Sequence, residues 1–312
     1  MKASRSTRKD STLGKFDSAI FSICATLKHM LRLSGTIVRD QILESEKHRL
    51  LSKTKKRPPK LVVFLVGEDE ASKVYVRQKE RAAQAIGIES EVIRFSTDIT
   101  PSDFEAAVKR ADADTSIDGI LIQRPVPLPI SNETLNQMVS PIKDVDGVHP
   151  ENIGRLLSGL PCHIACTPAG ILALLTHYKF TFEGQHAVIV GRSLTVGLPV
   201  AQLLLQKNMT ITQCHRHTTD LTQHTRSADL VVVAAGQAEM LDASAFKKGA
   251  WLVDVGIHRT ADKTLVGDVR AEGLETVLAA ASPVPGGVGP MTIAQLMHNT
   301  VNAFLDRSTV RE

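Results

Sequence analysis

Tyr75 and Lys79 stand four residues apart in Ser72-Lys-Val-Tyr-Val-Arg-Gln-Lys79, a stretch with helical spacing, so a phenol and an amine share one face. Such a pair can move a proton; a solvated helix face is the bland alternative. Lys143-Asp-Val-Asp-Gly147 puts two carboxylates around a Val, ahead of a glycine turn. These are too few oxygen ligands for a metal loop. The segment is either a plain turn or a carboxylate placed to accept hydrogen bonds from the N–H groups of a heterocycle. Gly191-Arg-Ser-Leu-Thr-Val-Gly197 follows an apolar run and opens a helix, where free backbone N–H groups suit a nucleotide phosphate. Its spacing departs from G-x-G-x-x-G, so a strand-to-helix turn stays open as a reading. Pro283-Val-Pro-Gly-Gly-Val-Gly-Pro-Met-Thr292 carries three glycines and three prolines, a stiff backbone that a flat ligand could approach closely.

These segments sit in a regular alternation. Leu61 to Val66 is a continuous apolar run closed by Gly67, as expected of a parallel strand buried on both faces. A helix is expected over 71–86 with Gly87 at its end, then a short strand at Val92 to Phe95. Thr100-Pro101 reads as a cap followed by Pro at the first helical position. Ile117 to Gln123 is a strand running into the loop Arg124-Pro-Val-Pro-Leu-Pro129. Thr167-Pro168 again reads as cap and Pro, with a helix to about Lys179. A strand at 186–190, a helix to about Lys207 and strands at 209–213, 229–235 and 251–255 follow. Ile293, Leu296, Met297, Thr300, Val301, Phe304 and Leu305 form one stripe on a last helix that must pack against something. Strands alternating with helices imply parallel α/β sheets.

The 312 residues suffice for two domains. The net charge of +4 resides in residues 1–31, which hold six Lys/Arg and two Asp; the remaining 31 basic and 31 acidic residues cancel. A basic tail is no footprint for nucleic acid on the body, and no apolar run is long enough for a membrane helix. The tail reads as a disordered or weakly helical extension of a cytoplasmic protein, with a mitochondrial presequence as the alternative. Cys24, Cys162, Cys166 and Cys214 fit no Cys-x-x-Cys spacing even with His163 and His215 beside them, so no metal is expected.

From about Leu33 to Leu305 the chain resembles the bifunctional methylenetetrahydrofolate dehydrogenase/methenyltetrahydrofolate cyclohydrolase family. The resemblance rests on Leu65-Val-Gly67 with Ala71-Ser72, Tyr75-x-x-x-Lys79, Asp118 to Gln123, Lys143 to Gly147, and Cys166-Thr-Pro-x-Gly170. It continues through Gly191-Arg-Ser-x-x-Val-Gly197-x-Pro199, Gly236-Gln237 and Pro283 to Thr292. It implies two α/β domains flanking a cleft, the C-terminal one a Rossmann-like parallel sheet. Residues 32–166 plus 290–312 would bind folate and 167–289 would bind NADP, with the last helix returning to the first domain. It implies Lys79 as catalytic lysine, Tyr75 against the pterin, Gln123 on the lysine and Asp146 anchoring the pterin. Ser72, Pro285, Gly286 and Gly287 would line the tetrahydrofolate site. Thr167, Gly191, Arg192, Ser193, Arg216, Ile257, Gly289 and Thr292 would contact the nicotinamide cofactor. It also implies a homodimer formed through the cofactor domain.

Two positions depart from that family's pattern. Arg124 follows Gln123 where the family commonly has Leu, placing a charge beside Gln123 either to form a salt bridge at the cleft rim or to contact the folate glutamate tail. Arg216-His217 follow Cys214-His215 where a Ser is common, and a guanidinium there favours a phosphate, hence NADP over NAD. Beside the bifunctional enzyme stand two other readings: a dehydrogenase with little cyclohydrolase activity, and an inactive folate-binding protein.

Overall fold

A computed structural model describes residues 30–52 and 57–309. Its first sheet is parallel, with strands β2 (Lys60–Val66), β3 (Glu89–Phe95) and β4 (Gly119–Ile122) in the order β3-β2-β4. The apolar run of β2 takes the centre, paired on both edges, and six of its seven residues are buried. Helix α2 (Glu70–Ile86) joins β2 to β3. The carboxylate of Asp69 accepts the N–H of Ser72 at its start, and Gly87 ends it at φ 86°. Helix α3 (Pro101–Ala113) starts on Thr100, whose hydroxyl accepts from Asp103 N, with Pro101 in the first turn as expected.

The second sheet has six parallel strands in the order β1-β11-β8-β7-β5-β6. They are β1 (Leu31–Arg32), β5 (His186–Val190), β6 (Thr210–Cys214), β7 (Leu230–Val233), β8 (Trp251–Asp254) and β11 (Ala280–Ala281). A two-stranded antiparallel hairpin, β9 (His258–Arg259) with β10 (Leu265–Val266), projects from the end of β8. Strands β5, β7 and β8 are apolar runs buried on both faces, covered by α6 (Cys166–His177) and α7 (Gly197–Leu205) on one side.

Helix α10 (Val288–Thr309) joins the two sheets. Leu296, Met297 and Val301 of its stripe share a buried cluster with Leu61, Val63 and Leu65 of β2, while Met291 meets Leu33 and Leu174 in another. Helix α1 (Gly35–Leu51), which the sequence reading did not anticipate, packs beside it. Its apolar residues are spread too evenly around the axis to declare a face. Shorter helices α4 (Asn132–Gln137), α5 (Pro150–Leu157), α8 (Leu221–Thr225) and α9 (Leu274–Val277) fill connections.

Three expectations need correction. The helix expected to open at Thr167 begins one residue earlier, at Cys166 after Ala165, and Thr167 makes no capping bond. It ends at His177 and α7 ends at Leu205, both about two residues short of the expected stops. The extension expected to run to residue 31 stops short of it, because Leu31 N donates to Ala279 O at 2.8 Å and Leu33 N to Ala281 O at 2.9 Å. Those bonds place Leu31–Arg32 in the six-stranded sheet, although the first domain was expected to begin at residue 32. The rest of the basic tail lies outside the described residues. Among the described residues no helix is long and apolar enough to cross a membrane, and no three His, Cys, Asp or Glu are grouped to hold a metal.

Candidate active site

Lys79 is placed on α2 one turn beyond Tyr75, and its Nζ donates to Gln123 Oε1, just past the end of β4, at 2.8 Å. Both side chains are only 9% exposed. The Gln123 amide is oriented in turn, because its Nε2 donates to Arg124 O at 2.8 Å. Burial pulls the Lys79 ammonium below the ordinary lysine range, and the charge of Asp146 opposes that pull. Burial raises the Tyr75 phenol. Ser72 lies at the start of the same helix, its hydroxyl 3.5 Å from Arg124 O.

The two carboxylates of the Lys143 segment part company. Asp144 is buried and accepts from Gly147 N at 3.1 Å, His149 N at 2.8 Å and Asn152 Nδ2 at 3.0 Å; burial lifts its pKa to about 6. It builds the turn. Asp146, half-buried, lies close enough to Lys79 and Cys166 to act on both electrostatically. The Cys166 thiol is buried, donates to Val145 O at 3.3 Å and is pushed well above the thiol range, first by burial and then by Asp146.

A cavity of about 1400 Å³ opens beside this cluster. Tyr75, Pro285, Gly286, Gly287, Gly289 and Ile257 line it; Lys79, Gln123 and Asp146 do not, although Lys79 lies one turn from Tyr75 on α2. The glycines of the Pro283 segment serve packing as well as access. A Cβ on Gly287 would meet Pro283 O at 2.6 Å, and Gly35 at the head of α1 leaves room for Gly287 O.

The Gly191 loop occupies the carboxyl edge of the second sheet, where β5 has β6 on one side and β7 on the other. Strand order reverses there, the usual crevice for a nucleotide. Gly191 adopts φ 125°, and a Cβ on it would lie 2.2 Å from Ala234 O at the end of β7. A Cβ on Gly197 would meet Gly191 O at 2.1 Å, so the two glycines close a tight loop on each other. Ser193 Oγ accepts from Val196 N and Gly197 N, opening α7. Arg192 and Arg216 are exposed, each two residues past the paired strand ends Val190 and Cys214. Thr167 and Thr292 hydroxyls meet at 3.1 Å between α6 and α10.

Residues 33–146 match the family described as "Tetrahydrofolate dehydrogenase/cyclohydrolase, catalytic domain", and residues 165–308 match its "NAD(P)-binding domain". The chain belongs to the tetrahydrofolate dehydrogenase/cyclohydrolase family. It is similar to the "Bifunctional protein FolD" of Streptococcus pyogenes serotype M5, with 48% identity over 80% of this chain and 88% of that protein. The solved FolD methylenetetrahydrofolate dehydrogenase/cyclohydrolase of Campylobacter jejuni superposes with TM-score 0.86 and 40% identity, covering 89% of this chain and 99% of that one. The Trypanosoma brucei FolD, complexed with NADP and inhibitor, gives TM-score 0.85 and 31% identity over 91% and 99%. This protein is therefore an NAD(P)-dependent methylenetetrahydrofolate dehydrogenase/cyclohydrolase of one-carbon folate metabolism.

Within this tetrahydrofolate dehydrogenase/cyclohydrolase, two features escaped the sequence. The Arg124 guanidinium donates to Asn132 Oδ1 and Asn136 Oδ1 on α4, and of the two roles offered it makes no salt bridge among the described residues. Asp254 and Asp268 tie the strand-end loops together. Asp254 accepts from Gly256 N, Asp268 N and Val269 N; Asp268 accepts from Ala235 N, Gly236 N and, at 2.7 Å, His258 Nε2. The aspartates' glycine neighbours, Gly256 and Gly267, were the available signal, since a Cβ on either would strike the partner carboxylate.

Proposed function

We propose that the pterin of the folate substrate binds in the cavity against Tyr75, with Asp146 as its hydrogen-bond anchor and Ser72, Pro285, Gly286 and Gly287 around it. The observation that carries this reading is the buried Lys79–Gln123 bond, near the charge of Asp146 and one helical turn from Tyr75, which lines the cavity. Lys79 is the proton-transfer group of hydrolysis. Water adds to the cationic methenyl carbon, a proton passes from that oxygen through Lys79, the bond to N5 breaks, and N5 takes a proton. Burial pulls Lys79 toward the neutral amine, which suits a cationic substrate better than an ammonium. Gln123 aims it.

NADP is the proposed cofactor, held by Thr167, Gly191, Arg192, Ser193, Arg216, Ile257, Gly289 and Thr292. The loop fits the group: Gly191 puts no side chain of its own into the crevice, and Ile257 offers an exposed apolar surface in the cavity. When bound, NADP supplies the oxidant that takes hydride from the methylene carbon. Two exposed guanidiniums beyond adjacent strand ends supply charge for a ribose phosphate, which favours NADP over NAD. The folate part is assigned to residues 32–166 with 290–312, less the strand residue Arg32, and the cofactor part to 167–289. Exposed Leu198 and Leu205 stand seven apart on α7 near Leu157 and Leu160, an apolar face consistent with a homodimer through the cofactor domain. Free thiols at Cys162, Cys166 and Cys214 agree with a cytoplasmic setting, and no nucleic-acid partner is proposed.

Turnover of methylenetetrahydrofolate with NADP and with NAD tests the cofactor reading. Arg216→Ala is expected to raise KM for NADP roughly tenfold, the low end of a charged hydrogen bond, and to leave KM for NAD nearly unchanged. Equal shifts for both cofactors would remove the phosphate site.

A further inference from the structure

Ile257 lines the cavity and is exposed, so packing does little to fix it, and its two neighbours carry that task. On one side Gly256 N donates to Asp254 Oδ1 at 2.9 Å. On the other, His258 Nε2 meets Asp268 Oδ1 at 2.7 Å. A carboxylate only accepts, so the imidazole Nε2 carries the proton. Gly256 makes room for this approach, since a Cβ there would stand 2.4 Å from Asp268 Oδ1.

Asp268 is fully buried, and its two oxygens serve different segments. Oδ2 accepts from Ala235 N at 2.7 Å and Gly236 N at 3.0 Å in the loop after β7, while Oδ1 takes His258 at the foot of the hairpin. The hairpin register sets His258 opposite Val266, just ahead of Asp268, so the contact closes both hairpin strands at their base. Asp268 N donates in turn to Asp254 Oδ1 at 3.0 Å, which fixes where the carboxylate starts. A buried carboxylate is costly unless its acceptor sites are filled, and of its donors here His258 alone is a side chain. We propose that His258 is a positioning residue for hydride transfer: through Asp268 it holds Ile257 and the Ala235-Gly236 loop at one fixed separation, and so sets the surface against which the nicotinamide rests. This rests on the cofactor placement given under Proposed function. Hydride transfer demands close alignment of the reacting atoms, so a loosened wall slows it without touching the proton chemistry at Lys79.

His258→Leu, His258→Ser, His258→Gln and Ile257→Ala are compared with the wild type in three measurements. These are NADP-dependent oxidation of methylenetetrahydrofolate, hydrolysis of methenyltetrahydrofolate without cofactor, and amide hydrogen exchange of the Ala235-Gly236 loop in the cofactor-free enzyme. His258→Leu is expected to lower kcat of oxidation roughly tenfold, part of the hundredfold that an ångström of misplacement can cost. It should leave cofactor-free hydrolysis unchanged and quicken exchange at Ala235 and Gly236. His258→Ser, polar and too short to reach Asp268, carries the same expectation and guards against a folding defect peculiar to leucine. His258→Gln keeps an N–H donor at similar reach and should recover most of the rate. Oxidation and hydrolysis falling together would show a general fold defect and overturn the proposal, and unchanged exchange would remove Asp268 as the link. If Ile257→Ala left oxidation untouched, the cofactor placement itself would fall. If Ile257→Ala slowed oxidation and neither His258→Leu nor His258→Ser did, only the positioning role would be wrong.

Discussion

The Lys79 amine donates to Gln123 Oε1 at a buried position that water scarcely reaches. Replacing it by Met keeps the volume and helix preference and removes only the proton-carrying group. Hydride transfer depends on alignment, whereas hydrolysis needs a proton moved as water adds. Lys79→Met should therefore lose cyclohydrolase activity by on the order of 10² to 10⁴, retain dehydrogenase activity and accumulate the methenyl compound. Methenyl absorbance followed together with NADP reduction, where spontaneous hydrolysis is slow, decides it. Hydrolysis at the wild-type rate would return Lys79 to a plain helix face. The pH profile carries the same sign: the neutral amine grows as pH rises, so wild-type hydrolysis should increase with pH through a midpoint below the ordinary lysine range.

The loop between β5 and α7 works by leaving side-chain space unused. Gly191 combines φ 125° with a backbone oxygen 2.2 Å from where a Cβ would stand, and that oxygen belongs to a strand end locked by the sheet ladder. Gly236, on the neighbouring strand-end loop, has φ 71° and nothing within 4 Å. Gly236→Ala should cost about 1 to 2 kcal/mol, the left-handed penalty alone. Gly191→Ala should cost roughly 3 kcal/mol or more and abolish tight NADP binding, because β5 and β7 must separate. Urea midpoints and NADP titrations of the two variants test the contrast; equal effects would show that the loop yields more readily than the ladder implies.

Across the whole molecule, burial penalises the charged forms of Asp144 in the first half and Asp254 in the second and raises both to about 6 when folded. In the unfolded chain an Asp titrates at about 3.9. Between those values the native state holds more protons, so the stability these groups contribute is full below about pH 4 and is lost as pH rises through 6. Asp254→Asn removes one such group. Its urea midpoint should fall less steeply from pH 4 to 7 than that of the wild type, even if the lost acceptor lowers the whole curve. Identical slopes would mean that Asp254 titrates alike in both states.

Fold class and the main elements were legible locally. Apolar runs closed by glycine became β2, β5 and β7, and Thr100-Pro101 capped its helix, because a strand buried on both faces and a helix start are written within a few residues. The spacing of Tyr75 and Lys79 was legible for the same reason. Remote segments decided the rest. Which of Asp144 and Asp146 builds the turn depended on His149 and Asn152 closing around one of them. Arg124 found its partners in Asn132 and Asn136 on α4. Leu31–Arg32 became a strand only because the edge of β11, about 250 residues later in the chain, offered unpaired backbone groups. Gly191 is required because Ala234 arrives beside it, a contact that exists only once β5 and β7 lie in one sheet.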